Sequence, residues 1–264
     1  MTRILSALVL LPVVVGVVWL GPPWATLLLV AVVLVVAHAE YVTLAERVGR
    51  PLPHALMLVA ALSACVGMAW PGAPPEVPLL AAMVAVGSAL VGTSRPDEDV
   101  VRRVGVAMLP VLYLGVPLGA LASVRVRHGG EALLLLLAVV MLSDTAQFYG
   151  GRLFGRRPLA PAVSPKKTVE GAVSGFVAGA VVAPLLGRWW LPGAPPGALA
   201  VAGVALVALG ITGDLFESLL KRSAGIKDAS GLIPGHGGML DRIDSLLFAG
   251  PAYYLFLAYV FQAG

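Results

Sequence analysis

The chain has 264 residues, of which 59% are hydrophobic and only 12% are charged, and its formal net charge is +4. A soluble globular domain carries about 25% charged residues. This low charge and a mean hydropathy of +0.93 exclude a soluble enzyme, a disordered binder and a disulfide-stapled secreted module. The sequence therefore predicts an all-α, polytopic integral membrane protein. Its single cysteine, Cys65, allows no intramolecular disulfide, and a packing role fits it better than a reactive thiol.

Nine apolar runs approach the length that a helix needs to cross about 30 Å of hydrocarbon. Clusters of proline and glycine separate several of these runs. The first run resembles a signal peptide but lacks a clear Ala-x-Ala cleavage site, so we interpret it as retained. We group the first five spans as an N-terminal membrane-helix region, 1–128, and the last four as a second region, 129–264. The predicted spans are 4–20, 24–40, 55–71, 77–93, 105–124, 131–149, 168–187, 198–217 and 243–262.

The loops orient these spans through their lysine and arginine content. With the N-terminus in the cytoplasm, 15 of the 18 basic residues lie in cytoplasmic loops, and the other three are Arg125, Arg127 and Arg188. This bias predicts nine spans with a cytoplasmic N-terminus and an outer C-terminus. It also excludes nucleic acid as a partner, because basic residues spread over short loops form no solvated binding face.

The first five spans carry few polar groups apart from Glu40, which we interpret as an interfacial acid at the inner end of the second span. Three polar clusters follow from residue 143 onward. The first ends the sixth span with Ser143, Asp144 and Gln147. Asp144 and Gln147 share a helix face. An acid at this depth either faces a polar interior or pairs with a neighbouring arginine.

The second cluster is the segment 164–171, SPKKTVEG, at the start of the seventh span. Ser164 followed by Pro165 predicts a helix N-cap with proline in the first turn. Lysines in a first turn oppose the helix dipole, so Lys166 and Lys167 indicate a nearby anion such as phosphate. Ordinary positive-inside flanking is the alternative.

The third cluster begins with a polar stripe on the eighth span. Helical spacing places Asp214, Glu217, Ser218 and Lys221 on one face. Such a face on an apolar helix predicts a protein interior or a wet cavity, and a solvated helix end is the alternative.

The third cluster ends with Asp241 and Asp244, which share a face at the start of the last span. The glycine-rich loop before them contains Lys227 and suits backbone N–H contacts to phosphate oxygens. His236 in that loop, taken as an isolated residue, would be structural.

These clusters predict chemistry on nucleotide phosphates. Hard carboxylates without a cysteine and histidine ligand set favour Mg²⁺ over zinc. Together with lysine, arginine and glycine-rich backbone, Mg²⁺ is typical of phosphoryl-transfer sites. The chain contains no GxxxxGK[ST] and no Gly-x-Ser-x-Gly, which excludes a P-loop and a serine-hydrolase elbow.

The stretch 218–244, SLLKRSAGIKDASGLIPGHGGMLDRID, resembles the C-terminal signature of the phosphatidate cytidylyltransferases, or CDP-diacylglycerol synthases. Ser143-Asp144-Thr145 and the segment 164–171 are similar to that family and occur in its order, whereas residues 1–140 resemble it only in hydropathy. The resemblance implies transfer of the cytidylyl group of CTP to phosphatidate, giving CDP-diacylglycerol and pyrophosphate for phospholipid synthesis. It makes 129–264 the catalytic region.

The resemblance also implies a setting and a set of partners. The enzyme would be a multi-pass protein of the inner (plasma) membrane, with its active site facing the cytoplasm. It would depend on Mg²⁺, use a second cation such as K⁺, contact membrane lipid and form a homodimer.

The same resemblance implies three groups of site residues. The metal ligands would be Asp214 and Asp241, joined by Asp144 and Asp244. The catalytic residues would be Lys221, Arg222, Lys227, Asp228, His236 and Arg242. The substrate-binding residues would be Ser164, Lys166, Lys167, Thr168, Glu170, Ser218, Gly237 and Gly238.

Three other functions fit parts of the pattern. A CTP-dependent lipid-alcohol kinase would use similar ligands but needs a base for its hydroxyl acceptor, and the 27-residue signature argues against it. A CDP-alcohol phosphotransferase needs an Asp-Gly dipeptide, which the chain lacks. A secondary transporter would place its binding residues near the bilayer midplane in two related halves, whereas these polar residues are confined to one half.

The basic-residue bias generates a topology prediction. A phosphatase fused after Gly264 is expected to be active, and a fluorescent protein at the same point is expected to be dark, because the C-terminus lies outside. Strong cytoplasmic fluorescence from the Gly264 fusion would contradict the count of nine spans.

Overall fold

The structure is a computed structural model that describes residues 2–48, 54–70, 72, 74, 76–93, 97–226, 230 and 237–261. Within these ranges the chain is built almost entirely of helices. Two π-helical stretches, Val111–Gly115 and Phe256–Phe261, continue the fifth and ninth α-helices. The α-helices are α1 (Thr2–Trp19), α2 (Pro23–Val48), α3 (His54–Ala69), α4 (Glu76–Thr93), α5 (Val100–Pro110), α6 (Val116–Phe154), α7 (Val169–Trp190), α8 (Pro196–Ser223) and α9 (Leu240–Leu255).

Five helical segments of the described chain are long and apolar enough to cross a membrane, which confirms a polytopic, helical membrane protein. One of them, Val100–Phe154, has 55 residues and at 1.5 Å per residue would be roughly 80 Å long, more than twice the hydrocarbon thickness. It is interrupted at Gly129, whose φ of 90° is not helical. This break falls between the fifth and sixth predicted spans. The number of spans and the outward C-terminus stay predictions.

The described chain divides into two compact units, Met1–Arg127 with Ser223–Arg242, and His128–Arg222 with Ile243–Gly264. The described residues of the segment 223–242, which the sequence analysis assigned to the second region, belong to the first of these units.

Close backbone contacts hold the first unit together. A Cβ added at Gly115 would lie 2.5 Å from the carbonyl oxygen of Ala61, and one at Gly119 would lie 2.6 Å from that of Cys65. Cys65 is fully buried at this contact, in agreement with its predicted packing role. At the end of α1, Arg125 donates to the carbonyl oxygens of Val18 and Gly21 at 2.9 and 2.8 Å. These carbonyls have no intrahelical donor, so the guanidinium caps the helix.

The second unit contains a two-stranded antiparallel hairpin that the all-α prediction missed. Its strands are β1 (Pro158–Ala160) and β2 (Ser164–Thr168), with Pro158 opposite Thr168. The predicted helix start at Ser164 was wrong, because Ser164 begins β2. Proline in an edge strand is as acceptable as proline in a first helical turn. The N-cap of α7 is Thr168, whose hydroxyl oxygen accepts a hydrogen bond from the Gly171 amide at 3.1 Å.

Glycine also sets the contact between α7 and α8. A Cβ at Gly179 would lie 2.7 Å from the carbonyl oxygen of Gly203, and one at Gly203 would lie 2.9 Å from the Cβ of Ala183. Small residues at such crossings let helix backbones pack directly in a membrane.

Gly203→Ala is expected to lower the free energy of unfolding of the purified protein in detergent by about 1–3 kcal/mol, because the added methyl group overpacks this crossing. The melting temperature should fall accordingly. Gly197→Ala, on the same helix, is the matched control, since nothing lies within 4 Å of its added Cβ. Equal melting temperatures for the Gly203 variant and the wild type would show that the α7–α8 contact is not this close.

Candidate active site

The end of α6 and the start of α7 bring Asp144 towards the hairpin. Glycines on α7 allow this approach: a Cβ at Gly171 would lie 2.8 Å from the Gln147 carbonyl oxygen, and one at Gly175 would lie 2.5 Å from the Gln147 Cγ. The Gln147 amide in turn donates to the Asp144 Oδ1 atom at 2.9 Å. Gln147 therefore orients this carboxylate, as its spacing of three residues allows.

The β2 strand delivers a cation to the same place. Lys167 Nζ lies 2.6 Å from Asp214 Oδ2 on α8, and both side chains are partly buried. The neighbouring Lys166 is exposed. The difference follows from the strand, because successive side chains of a β-strand point to opposite faces.

Two further aspartates lie within electrostatic range of the pair formed by Lys167 and Asp214. Asp144 and Asp244 both interact with the charges of Asp214 and Lys167. The close approach of α8 and α9 explains how Asp244 reaches this position, since a Cβ at Gly213 would collide with the Asp244 carbonyl oxygen. The Asp244 Oδ1 atom accepts a hydrogen bond from the Ser245 amide at 2.6 Å.

The polar stripe of α8 faces the protein interior, as predicted. Glu217 is 2% exposed and Lys221 is 8% exposed, and the two side chains form an ion pair one helical turn apart. Asp214 and Ser218 are partly buried, and the Ser218 hydroxyl lies 3.5 Å from Asp214 Oδ1. The charge of Glu217 also acts on Asp244, so the stripe and the aspartates form one network.

This network has a surplus of negative charge. Its described members are four carboxylates and two ammonium groups, and the carboxylates are Asp144, Asp214, Glu217 and Asp244. Clustered acids of this kind favour a bound cation. Their oxygen donors suit Mg²⁺ by chemistry. However, no three histidine, cysteine, aspartate or glutamate side chains of the described chain lie close enough to share one ion as they stand.

Asp241 belongs to the first unit. Its Oδ2 atom accepts a hydrogen bond from the Gly238 amide at 2.9 Å. The preceding Gly237 has a φ of +77°, a left-handed conformation that favours glycine. The following Arg242 is exposed.

Glu170 has a structural contact that the sequence analysis did not predict. Its Oε2 atom accepts hydrogen bonds from the backbone amides of Arg156 and Arg157 at 3.0 and 3.2 Å. It thereby connects the start of α7 to the segment that leads into β1.

The other described site residues near the hairpin and α8 have the following positions. Thr168 caps α7, as described above, and Ser164 lies in β2. Arg222 is exposed at the end of α8.

Three predicted residues, Lys227, Asp228 and His236, lie outside the described residues. Sequence reasoning in turn missed two partners of the aspartates. Ser245 interacts with Asp144 through its side chain, and Glu217 reaches Asp244 through its charge. The predicted stripe on α8 already contained Glu217. Nothing in the local pattern indicated that Ser245 would meet Asp144, which lies about 100 positions earlier in the chain.

The cytidylyltransferase family matches the chain over residues 1–260. The chain belongs to this family. It is 40% identical over 190 residues to the phosphatidate cytidylyltransferase of Helicobacter pylori, a match that covers 72% of this chain and 67% of the relative. It is 33% identical over 246 residues to the phosphatidate cytidylyltransferase of Mycobacterium bovis, a match that covers 87% of this chain and 79% of the relative. Phosphatidate cytidylyltransferase 5, chloroplastic, of Arabidopsis thaliana is 44% identical to this chain over 139 residues. That match covers 49% of this chain and 32% of the relative.

The buried pair on α8 of this cytidylyltransferase generates a stability prediction. Lys221→Met is expected to destabilise the protein by about 3–5 kcal/mol, because it leaves the buried Glu217 carboxylate without its ammonium partner. The double variant Glu217→Gln/Lys221→Met should recover most of that loss, since the orphaned charge is also removed. Thermal unfolding in detergent measures both effects.

Lys166→Met is the control for this series, because Lys166 is exposed and its removal should change stability little. A double variant no more stable than Lys221→Met alone would contradict the pairing.

Proposed function

We propose that this protein transfers the cytidylyl group of CTP to phosphatidate and releases pyrophosphate. Membership of the cytidylyltransferase family over residues 1–260 carries the proposal. Relatives from bacteria and plants named phosphatidate cytidylyltransferase support the lipid substrate. The network of three aspartates and Lys167 supplies the polar groups that such a reaction needs inside an apolar protein.

The chemistry needs no general base. A phosphate monoester has a second pKa near 6, so the attacking oxygen of phosphatidate is already an anion at neutral pH. This oxygen forms a bond to the α-phosphorus of CTP, and the bond from that phosphorus to the bridging β-phosphate oxygen breaks. Pyrophosphate leaves with that electron pair. The enzyme must therefore bring two polyanions together in line and stabilise the leaving group.

We assign these tasks to the site residues predicted from the sequence. Lys167 pairs with Asp214 and is proposed to contact phosphate oxygens. The same role is proposed for Lys166, the preceding residue of β2. Asp144, Asp214 and Asp244 are proposed as oxygen ligands of Mg²⁺. The family resemblance of the sequence proposes the same role for Asp241. When bound, Mg²⁺ would neutralise charge on the phosphates and the leaving group. Further phosphate contacts are proposed for Lys221, Arg222, Lys227 and Arg242.

We also propose the membrane setting that the sequence analysis implies. The protein would cross the inner membrane nine times, with the aspartates and Lys167 on the cytoplasmic side. It would form a homodimer and use a second cation such as K⁺. A cytoplasmic site at the membrane surface lets soluble CTP meet a lipid headgroup without moving the lipid out of the bilayer.

Purified protein incubated with phosphatidate, Mg²⁺ and CTP radiolabelled in its cytidine tests the function. Label is expected to enter the organic phase as a CDP-lipid, and EDTA should abolish the transfer. A polyprenol incubated with CTP labelled at its γ-phosphate should give no labelled product, because that label follows phosphoryl transfer and not cytidylyl transfer. Label on the polyprenol alone would overturn the proposal in favour of a lipid-alcohol kinase.

Asp214→Asn is expected to reduce the turnover by roughly 10²–10⁴-fold, on the scale of lost charge stabilisation in a transition state. The protein should still fold, because the change removes a charge that repels Asp144 and Asp244. Asp99→Asn is the matched control, since Asp99 is an exposed aspartate in the first unit that pairs with Arg102. Near-normal, Mg²⁺-dependent transfer by Asp214→Asn would rule out its role as a metal ligand.

A further inference from the structure

Glu40 has surroundings that its position in the sequence did not predict. The sequence analysis interpreted it as an interfacial acid, but Glu40 is only 5% exposed, so that interpretation was wrong. A buried carboxylate is costly unless hydrogen bonds compensate it. Glu40 receives three such bonds, and all three come from residues about 190–200 positions further along the chain.

Two of the three donors lie at the start of α9, and the third, Ser230, lies ten residues before it. The Ser230 hydroxyl and the Met239 amide donate to Oε1 at 2.5 and 2.8 Å. The Leu240 amide donates to Oε2 at 2.8 Å. The amides at the start of a helix have no intrahelical acceptors, so Glu40 acts as an N-cap supplied by a distant helix. A negative charge at this end also complements the helix dipole.

The packing at this point leaves little freedom. A Cβ added at Gly238 would lie 2.6 and 2.8 Å from the two carboxylate oxygens of Glu40. The same Gly238 donates its amide to Asp241 at 2.9 Å. Glu40 and Asp241 thus hold adjacent amides of one short stretch, 238–240, and Asp241 is itself in the first turn of α9.

We propose that Glu40 is a positioning residue, whose carboxylate holds the first turn of α9 so that Asp241 is presented as a metal ligand. This inference rests on the proposed function for the role of Asp241. It requires no contact between Glu40 and a substrate. Partners that orient a metal ligand from behind typically change metal affinity by about 10–100-fold when they are removed.

The test compares Glu40→Ala and Glu40→Gln with the wild type by two measurements on the full-length protein. The first is amide hydrogen exchange, without metal or substrate, in peptides that cover 238–242. Exchange is expected to be at least about tenfold faster in Glu40→Ala, because the Met239 and Leu240 amides lose their acceptor. Glu40→Gln should be intermediate, since its amide oxygen can still accept but its nitrogen cannot.

The second measurement is the Mg²⁺ concentration that gives half-maximal cytidylyl transfer. It is expected to rise about 10–100-fold in Glu40→Ala and less in Glu40→Gln. A loss of folded protein would lower the maximal rate without moving this concentration, so the shift separates positioning from general destabilisation. If Glu40→Ala does not fold, both measurements are made on Glu40→Gln alone.

Glu46→Ala is the matched control, because Glu46 lies on the same helix, pairs with His54 at 3.3 Å and is largely exposed. It should change neither measurement. Unchanged exchange, or an unchanged Mg²⁺ requirement in both Glu40 variants, would overturn the proposal. A wild type without cytidylyl transfer would instead overturn the proposed function, while the exchange experiment would still decide whether Glu40 holds the start of α9.

Discussion

The ion pair between Lys167 and Asp214 is the interaction on which the polar interior of the second unit depends. Asp214 is surrounded by the charges of other carboxylates, and apolar helices offer little solvation to any of them. Lys167 offsets part of this repulsion, and Lys221 does the same for Glu217. Carboxylates still outnumber ammonium groups among the described members of the network, and clustered carboxylates favour a bound cation.

Small residues make this concentration of charge possible. Carboxylates on different helices meet only if the backbones approach closely, and Gly171, Gly175 and Gly213 remove the side chains that would keep them apart. The same device, at Gly179 and Gly203, joins α7 to α8 away from the polar residues. Packing and the placement of the charges therefore depend on one sequence feature, since a bulkier residue at these points would separate the carboxylates as well as the helices.

The hairpin before α7 shows how local structure decides the role of a lysine. In a helix, Lys166 and Lys167 would differ in direction by about 100° and both could reach an anion near the helix start. In the β2 strand they point to opposite faces, so Lys167 reaches Asp214 and Lys166 stays exposed. Glu170 stabilises the hairpin through the amides of Arg156 and Arg157.

The sequence by itself determined the membrane class, the helical architecture and the family, because these depend on composition, run length and a contiguous signature. It also placed Asp144, Asp214 and Lys167 in polar clusters, since helical spacing is a local property. Only the tertiary structure decided that Lys167 pairs with Asp214 and that Glu40 caps a helix 200 residues away. Those contacts join residues that are distant in sequence, and nothing in local periodicity records which buried donor a buried carboxylate will meet.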